Sequence, residues 1–137
     1  MIYCDASLVV TALAVELRTA EARRWFSDHD GDVLATSLWV ETEIASALAQ
    51  KQRQKLLTEP ERRTLFGQWR LLSSGWSMIE IESEHFVAAG ALTNSGLRAG
   101  DALHLAVAAE RHAALATRDR DLARVAREQG LVVYEVE

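Results

Sequence analysis

Three aspartates stand where the chain changes element. Asp5 closes an apolar run, Asp101 opens a helix, and Asp119 lies two residues past a run of small apolar residues. A glutamate joins them from a helix in the first half, where Glu41 and Glu43 flank the buried stripe of Val40, Ile44, Ala47 and Leu48. The helical wheel does not choose between the two. Each acid also has a plainer role. Asp5 or Ser7 can cap the helix that follows, Asp119 caps the next-to-last element, and Asp101 and Asp121 suit the positive end of a helix dipole. Together, four acids near one rim of one sheet suit a hard divalent cation, Mg2+ or Mn2+, which takes oxygen ligands and keeps several waters. Other chemistries lack their residues. One cysteine and four scattered histidines give no zinc spacing. There is no glycine-rich phosphate loop and no Gly-x-Ser-x-Gly turn. By elimination, metal-assisted hydrolysis of a phosphodiester fits best.

The elements that must position these acids alternate. Short apolar runs at Ile2-Tyr3-Cys4, Val33 to Thr36, Ser77 to Ile81, Ala113 to Thr117 and Leu131 to Tyr134 predict strands. Between them the pattern turns helical: from Ala6 through Leu13, Thr19 to His29, Ser37 to about Gln52, and from the capping box Thr58-Glu59-Pro60-Glu61 to a stop at Gly75. Ser83 is expected to cap a helix to Leu92, Gly100 to end the loop before the Asp101 helix, and Asp119 to cap a helix from Arg120 to Gln129. Such alternation predicts a mainly parallel sheet with helices on both faces, and ligands in such sheets sit beyond the carboxyl ends of the strands. If the first and fourth strands are neighbours, Asp5 and Asp119 reach one crevice.

The totals are consistent with one domain spanning 1–137, with 49% hydrophobic and 26% charged residues excluding disorder. A net charge of −5 argues against broad electrostatic adhesion to nucleic acid, but carboxylates gathered in a metal site would supply much of that excess. Cys4 reads as a buried thiol in a reducing cytoplasm. The uncharged run Ala6 to Val15 is preceded by Asp5 and cut off by Glu16, too short to span a membrane.

At this point the residues meet a known family. Ile2-Tyr3-Cys4-Asp5-Ala6-Ser7, Thr36-Ser37 followed six residues later by Glu43, Asp101-Ala102-Leu103-His104-Leu105-Ala106 and Thr117-Arg118-Asp119-Arg120-Asp121-Leu122 resemble the PIN-domain nucleases. In size and layout the chain resembles the VapC-type toxins of prokaryotic toxin–antitoxin pairs. The Thr-Ser register selects Glu43 over Glu41. The resemblance implies a three-layer α/β/α fold with a five-stranded sheet, its first and fourth strands adjacent. It implies that Asp5, Glu43, Asp101 and Asp119 surround one or two Mg2+ or Mn2+ ions, Asp5 and Asp101 most directly. Ser7 and Thr117 then support the pocket by hydrogen bonding, and Asp121 shares or replaces the role of Asp119. The activity implied is endoribonuclease, with water activated for in-line attack on an RNA phosphate. The partners implied are a small VapB-like antitoxin, whose C-terminal segment places a basic side chain in the acidic site, and a second copy in a homodimer.

Two other readings compete with this one. A phosphoryl-acceptor receiver domain wants a lysine near the last strand, and both lysines, Lys51 and Lys55, lie mid-chain. A non-catalytic PIN-like binding module would engage RNA or a protein without turnover. It could use Trp25, Trp39 and Trp69 as interface or Arg18, Arg23, Arg98, Arg118 and Arg120 as phosphate guides.

Overall fold

The computed structural model describes all 137 residues. Five strands, β1 (Ile2–Cys4), β2 (Leu34–Thr36), β3 (Ser77–Met78), β4 (Ala114–Thr117) and β5 (Val133–Glu135), form one sheet in the order β3-β2-β1-β4-β5. Every pairing is parallel, and β1 sits in the middle with Tyr3 opposite Ala35 on one side and Leu115 on the other. Seven helices connect and cover the sheet: α1 (Ala6–Leu13), α2 (Thr19–Asp28), α3 (Leu38–Arg53), α4 (Glu59–Leu72), α5 (Ser83–Leu92), α6 (Ala99–Glu110) and α7 (Arg120–Glu128). The topology reverses at β1, so β2 and β4 lead away from it to opposite edges. The crevice at that switch point is where an open parallel sheet binds its ligands.

Burial explains the sequence pattern. β1 and β2 are buried along their whole length, which is why they read as unbroken apolar runs rather than alternations. α6 is buried from Ala102 to Ala108, so almost none of it meets water. Its side chains, with Tyr3, Val9, Val40, Ile44, Leu48, Trp69 and Leu115, make up the larger of two apolar clusters. The smaller cluster joins Ile2, Cys4 and Leu8 to Ala22, Leu34 and Ala116 on the other face. Cys4 is fully buried, and that burial raises its thiol pKa. No helix is long and apolar enough to cross a membrane.

Several boundaries differ from the sequence expectation. β3 is two residues, not five: Ile79 still donates to the Thr36 carbonyl at 2.8 Å, but the edge strand has no outer partner to extend the ladder. β5 begins at Val133 rather than Leu131, because the first residues after Gly130 are spent on the turn that closes α7. The cap of α5 is Glu82, not Ser83. Glu82 donates its backbone N–H to His85 Nδ1, a capping box in which an imidazole replaces the usual carboxylate. Gly100 lies inside α6 rather than ending the loop before it. The Trp39 indole packs there so closely that a Cβ would stand 3.3 Å from it.

Candidate active site

Asp5 ends β1 and is the N-cap of α1, in the extended backbone that an N-cap requires. Ser7, the other capping candidate, instead donates its hydroxyl to Asp5 Oδ1 at 2.8 Å, while the Leu8 N–H reaches the same oxygen at 3.2 Å. Thr117, at the end of the neighbouring β4, donates to Asp5 Oδ2 at 2.6 Å. Three donors therefore hold a carboxylate that is 3% exposed. Even so, burial raises its pKa, opposed by the hydrogen bonds from Thr117, Ser7 and Leu8. These bonds do not fully replace water around the charge.

The same hydroxyls also receive bonds. Arg118 N–H donates to Ser7 Oγ and Asp119 N–H to Thr117 Oγ1, each at 3.0 Å. The backbone that carries Asp119 is thereby tethered to Asp5 through two side chains. Asp119 caps α7 by accepting from Leu122 N–H at 2.9 Å, which occupies Oδ1. Asp121, one turn into the same region, is exposed and makes no hydrogen bond.

Asp101 stands in the first turn of α6, and no protein group donates to its carboxylate. Burial raises its pKa to about 6, and the negative charges of Asp119, Glu43 and Asp5 add to the rise. This places Asp119, Glu43 and Asp5 within electrostatic reach of Asp101. As they stand, no three of the His, Cys, Asp and Glu side chains close around a single point as an ion would require. The donor set nevertheless fits a hard cation. The groups are all carboxylate oxygens, two of them disfavoured as anions, and Mg2+ is commonly held by one or two carboxylates with waters completing its shell.

The two glutamates of α3 separate clearly. Glu41 turns to α4, accepting from Trp69 Nε1 and Arg70 at 3.2 Å each. Glu43 is hydrogen-bonded to His104 of α6 and faces Asp119 across a cleft of about 520 Å³ that is also lined by Ser7, Thr11, Glu16 and Arg118. Behind Glu43 stands a buried polar chain whose links the sequence pattern alone does not join. His104, 1% exposed, meets Tyr3 Oη through Nδ1 at 2.9 Å, and Tyr3 Oη lies 2.7 Å from Ser37 Oγ. The signal was present, since Tyr3 is the one polar side chain in a fully buried strand, and a buried phenol must find a partner.

The PIN domain model matches residues 2–128. The chain belongs to the PIN domain family. Solved structures share its fold at low identity. VapBC2 from Rickettsia felis, bound to a DNA fragment from its promoter, matches with a TM-score of 0.72 and 16% identity over all of both chains. A toxin–antitoxin complex from Klebsiella pneumoniae gives 0.71 and 20% over 99% of this chain and all of the other. VapC20 of Mycobacterium tuberculosis, a sarcin–ricin loop cleaving toxin, gives 0.71 and 16% over 91% of this chain and 95% of that one. No curated protein is significantly similar in sequence.

The electrostatics of this PIN site predict its behaviour without metal. The Asp101 pKa of about 6 in the folded chain exceeds the value of 3.8 for a free side chain, so the folded form binds more protons between those values. Stability contributed by this group is therefore lost as pH rises through that window. In EDTA, Asp101→Asn should match the wild type in melting temperature near pH 4 and exceed it increasingly up to pH 6 to 7. A constant difference across that range would show that Asp101 titrates like a surface carboxylate.

Proposed function

We propose that this chain is a Mg2+- or Mn2+-dependent endoribonuclease acting as the toxin of a toxin–antitoxin pair in the cytoplasm, with residues 1–137 forming one PIN-like nuclease domain. The observation that supports the reading is the electrostatic coupling of Asp101 to Asp119, Glu43 and Asp5, with Asp5 and Asp119 following the adjacent strands β1 and β4 and with burial raising the pKa of both Asp5 and Asp101. In this reading Asp5 and Asp101 hold the cation most directly, while Glu43 and Asp119 hold its waters or a second ion. A bound divalent ion supplies an activated water and offsets charge on the phosphoryl oxygens. The protein's own contribution is positional. Ser7 and Thr117 orient Asp5, Thr117 also fixes the Asp119 backbone, and Arg118 lies beside the cleft where a phosphate would enter. This reading gives the fourth position to Asp119, with the exposed Asp121 in the first turn of α7 as the alternative.

The partner reading draws on a second cleft, of about 540 Å³, lined by Leu13, Val15, Leu56, Leu57, Pro60 and Leu65. It meets the acidic cleft at Glu16, which lines both. An antitoxin segment with apolar side chains followed by a basic one suits that pair of surfaces, as charge complementarity at the acids requires. A homodimer is expected from the family resemblance.

The test is cleavage of a panel of structured RNAs by purified, antitoxin-free protein, with Mg2+ or Mn2+, with EDTA, and with Asp101→Asn and Asp121→Asn alongside. Metal-dependent cuts that Asp101→Asn loses and Asp121→Asn keeps are the expected result. A folded protein that neither cuts RNA nor binds Mn2+ would instead be a PIN-like binding module.

A further inference from the structure

Between Ser37 and Glu43 runs a buried polar chain whose proton order can be worked out from its partners alone. Ser37 caps α3, and its Oγ accepts the Val40 N–H at 3.4 Å. Ser37 is fully buried, and Tyr3 Oη at 2.7 Å is the one remaining partner for its proton. Ser37 must therefore donate to Tyr3, because the reverse order would strand a buried hydroxyl proton. Tyr3 then donates to the only other atom in reach, His104 Nδ1 at 2.9 Å. With Nδ1 accepting, the imidazole carries its proton on Nε2, which donates to Glu43 Oε1. Every donor is used once and none is left over.

We infer that Tyr3 and His104 are positioning residues for Glu43. The relay holds Oε1 and leaves Oε2 without a protein donor, so Oε2 is the oxygen Glu43 has fully available for an ion or its water. The relay spans β1, α3 and α6, three elements that otherwise meet only through apolar packing. It thus fixes Glu43 relative to Asp5, two residues beyond Tyr3, and Asp101, three residues before His104. The inference rests on the reading of Glu43 as a site acid, whereas the proton order does not depend on that reading.

Two-bond proton–nitrogen correlation spectra of protein labelled with 15N-histidine test the order directly. Only four histidines are present, and His104→Gln identifies the signal. The wild type should show the His104 proton on Nε2 with Nδ1 accepting, and Tyr3→Phe should shift Nδ1 to the position of an unbonded ring nitrogen. Manganese binding followed by calorimetry should weaken measurably in Tyr3→Phe and by about 10-fold or more in His104→Leu, which removes the outer-shell partner of Glu43 itself. Against the RNA selected in the panel, kcat should fall with KM unchanged. His104→Gln, which keeps an N–H near the Nε2 position, should retain more of both than His104→Leu. A proton on Nδ1, or a Tyr3→Phe protein equal to wild type in Mn2+ affinity, would overturn the inference. A wild type with the Nε2 proton that neither binds Mn2+ nor cuts RNA would keep the relay and remove its purpose, together with the ribonuclease reading.

Discussion

Asp5→Asn should abolish RNA cleavage while leaving a fully folded protein. The structural half of this expectation follows from the bonds at Asp5. Asparagine is as good an N-cap as aspartate, so its amide oxygen can keep the Leu8 and Ser7 donors that now reach Oδ1. On the other side, the amide N–H2 would meet Thr117, whose hydroxyl can turn to accept rather than donate. Removing a charge that burial disfavours also removes a cost, and melting in EDTA near neutral pH should show no loss of stability. The chemical half is different. Asparagine brings no negative charge, and a single preorganised electrostatic group is commonly worth about 10²–10³ in rate. In the proposed site Asp5 also anchors the cation, so loss of Mn2+ binding should accompany loss of cleavage. The measurement is kcat/KM and Mn2+ affinity beside a thermal melt. Cleavage within a few-fold of wild type would remove Asp5 from the mechanism.

How much of this could be read from the sequence depended on how local the cause was. The capping box of Thr58 and Glu61 was legible because its bonds close within four residues, and it occurs as read. The strand order was legible only through the family resemblance, since three-residue strands carry too little pattern to specify neighbours. The choice between Glu41 and Glu43 lay outside the reach of the helical wheel. It is made by Trp69 and Arg70, which take Glu41 from α4, and by His104, which takes Glu43 from α6. Contacts from 28 to 61 positions away decide it. The aromatic candidates divided for the same reason. Trp69 is fully buried, with Trp76 edge-on to it, whereas Trp25 and Trp39 are half-buried at the margins of the core. The Asp101 helix opens two residues earlier than its glycine suggests, and the Gly100 that reads as a loop end is instead a helical residue packed against the Trp39 indole. That is a packing demand rather than a turn signal.

Thr117→Val should damage both stability and activity, and the two losses have separate causes. The substitution keeps the β-branched shape that suits a strand, and Thr117 is fully buried, so no cavity and no new exposure result. What is lost is one hydroxyl with two duties. Its proton satisfies Asp5 Oδ2, and its oxygen accepts the N–H of Asp119. Leaving buried or half-buried polar groups without partners costs about 1–3 kcal/mol each, and more when the group is charged. A loss of about 3 kcal/mol in unfolding free energy near neutral pH is therefore expected from denaturant titration. The penalty should shrink at acid pH, because a protonated Asp5 no longer needs the bond. Activity should fall by about 10–100-fold, as when a partner that orients a ligand is removed. Thr117→Ser, which keeps the hydroxyl and drops only a methyl group, should recover most of the activity. If valine were as active as wild type and serine impaired, the methyl packing rather than the hydroxyl would be responsible. Asp5 and Asp119 would then be held together by the backbone of β1 and β4 alone.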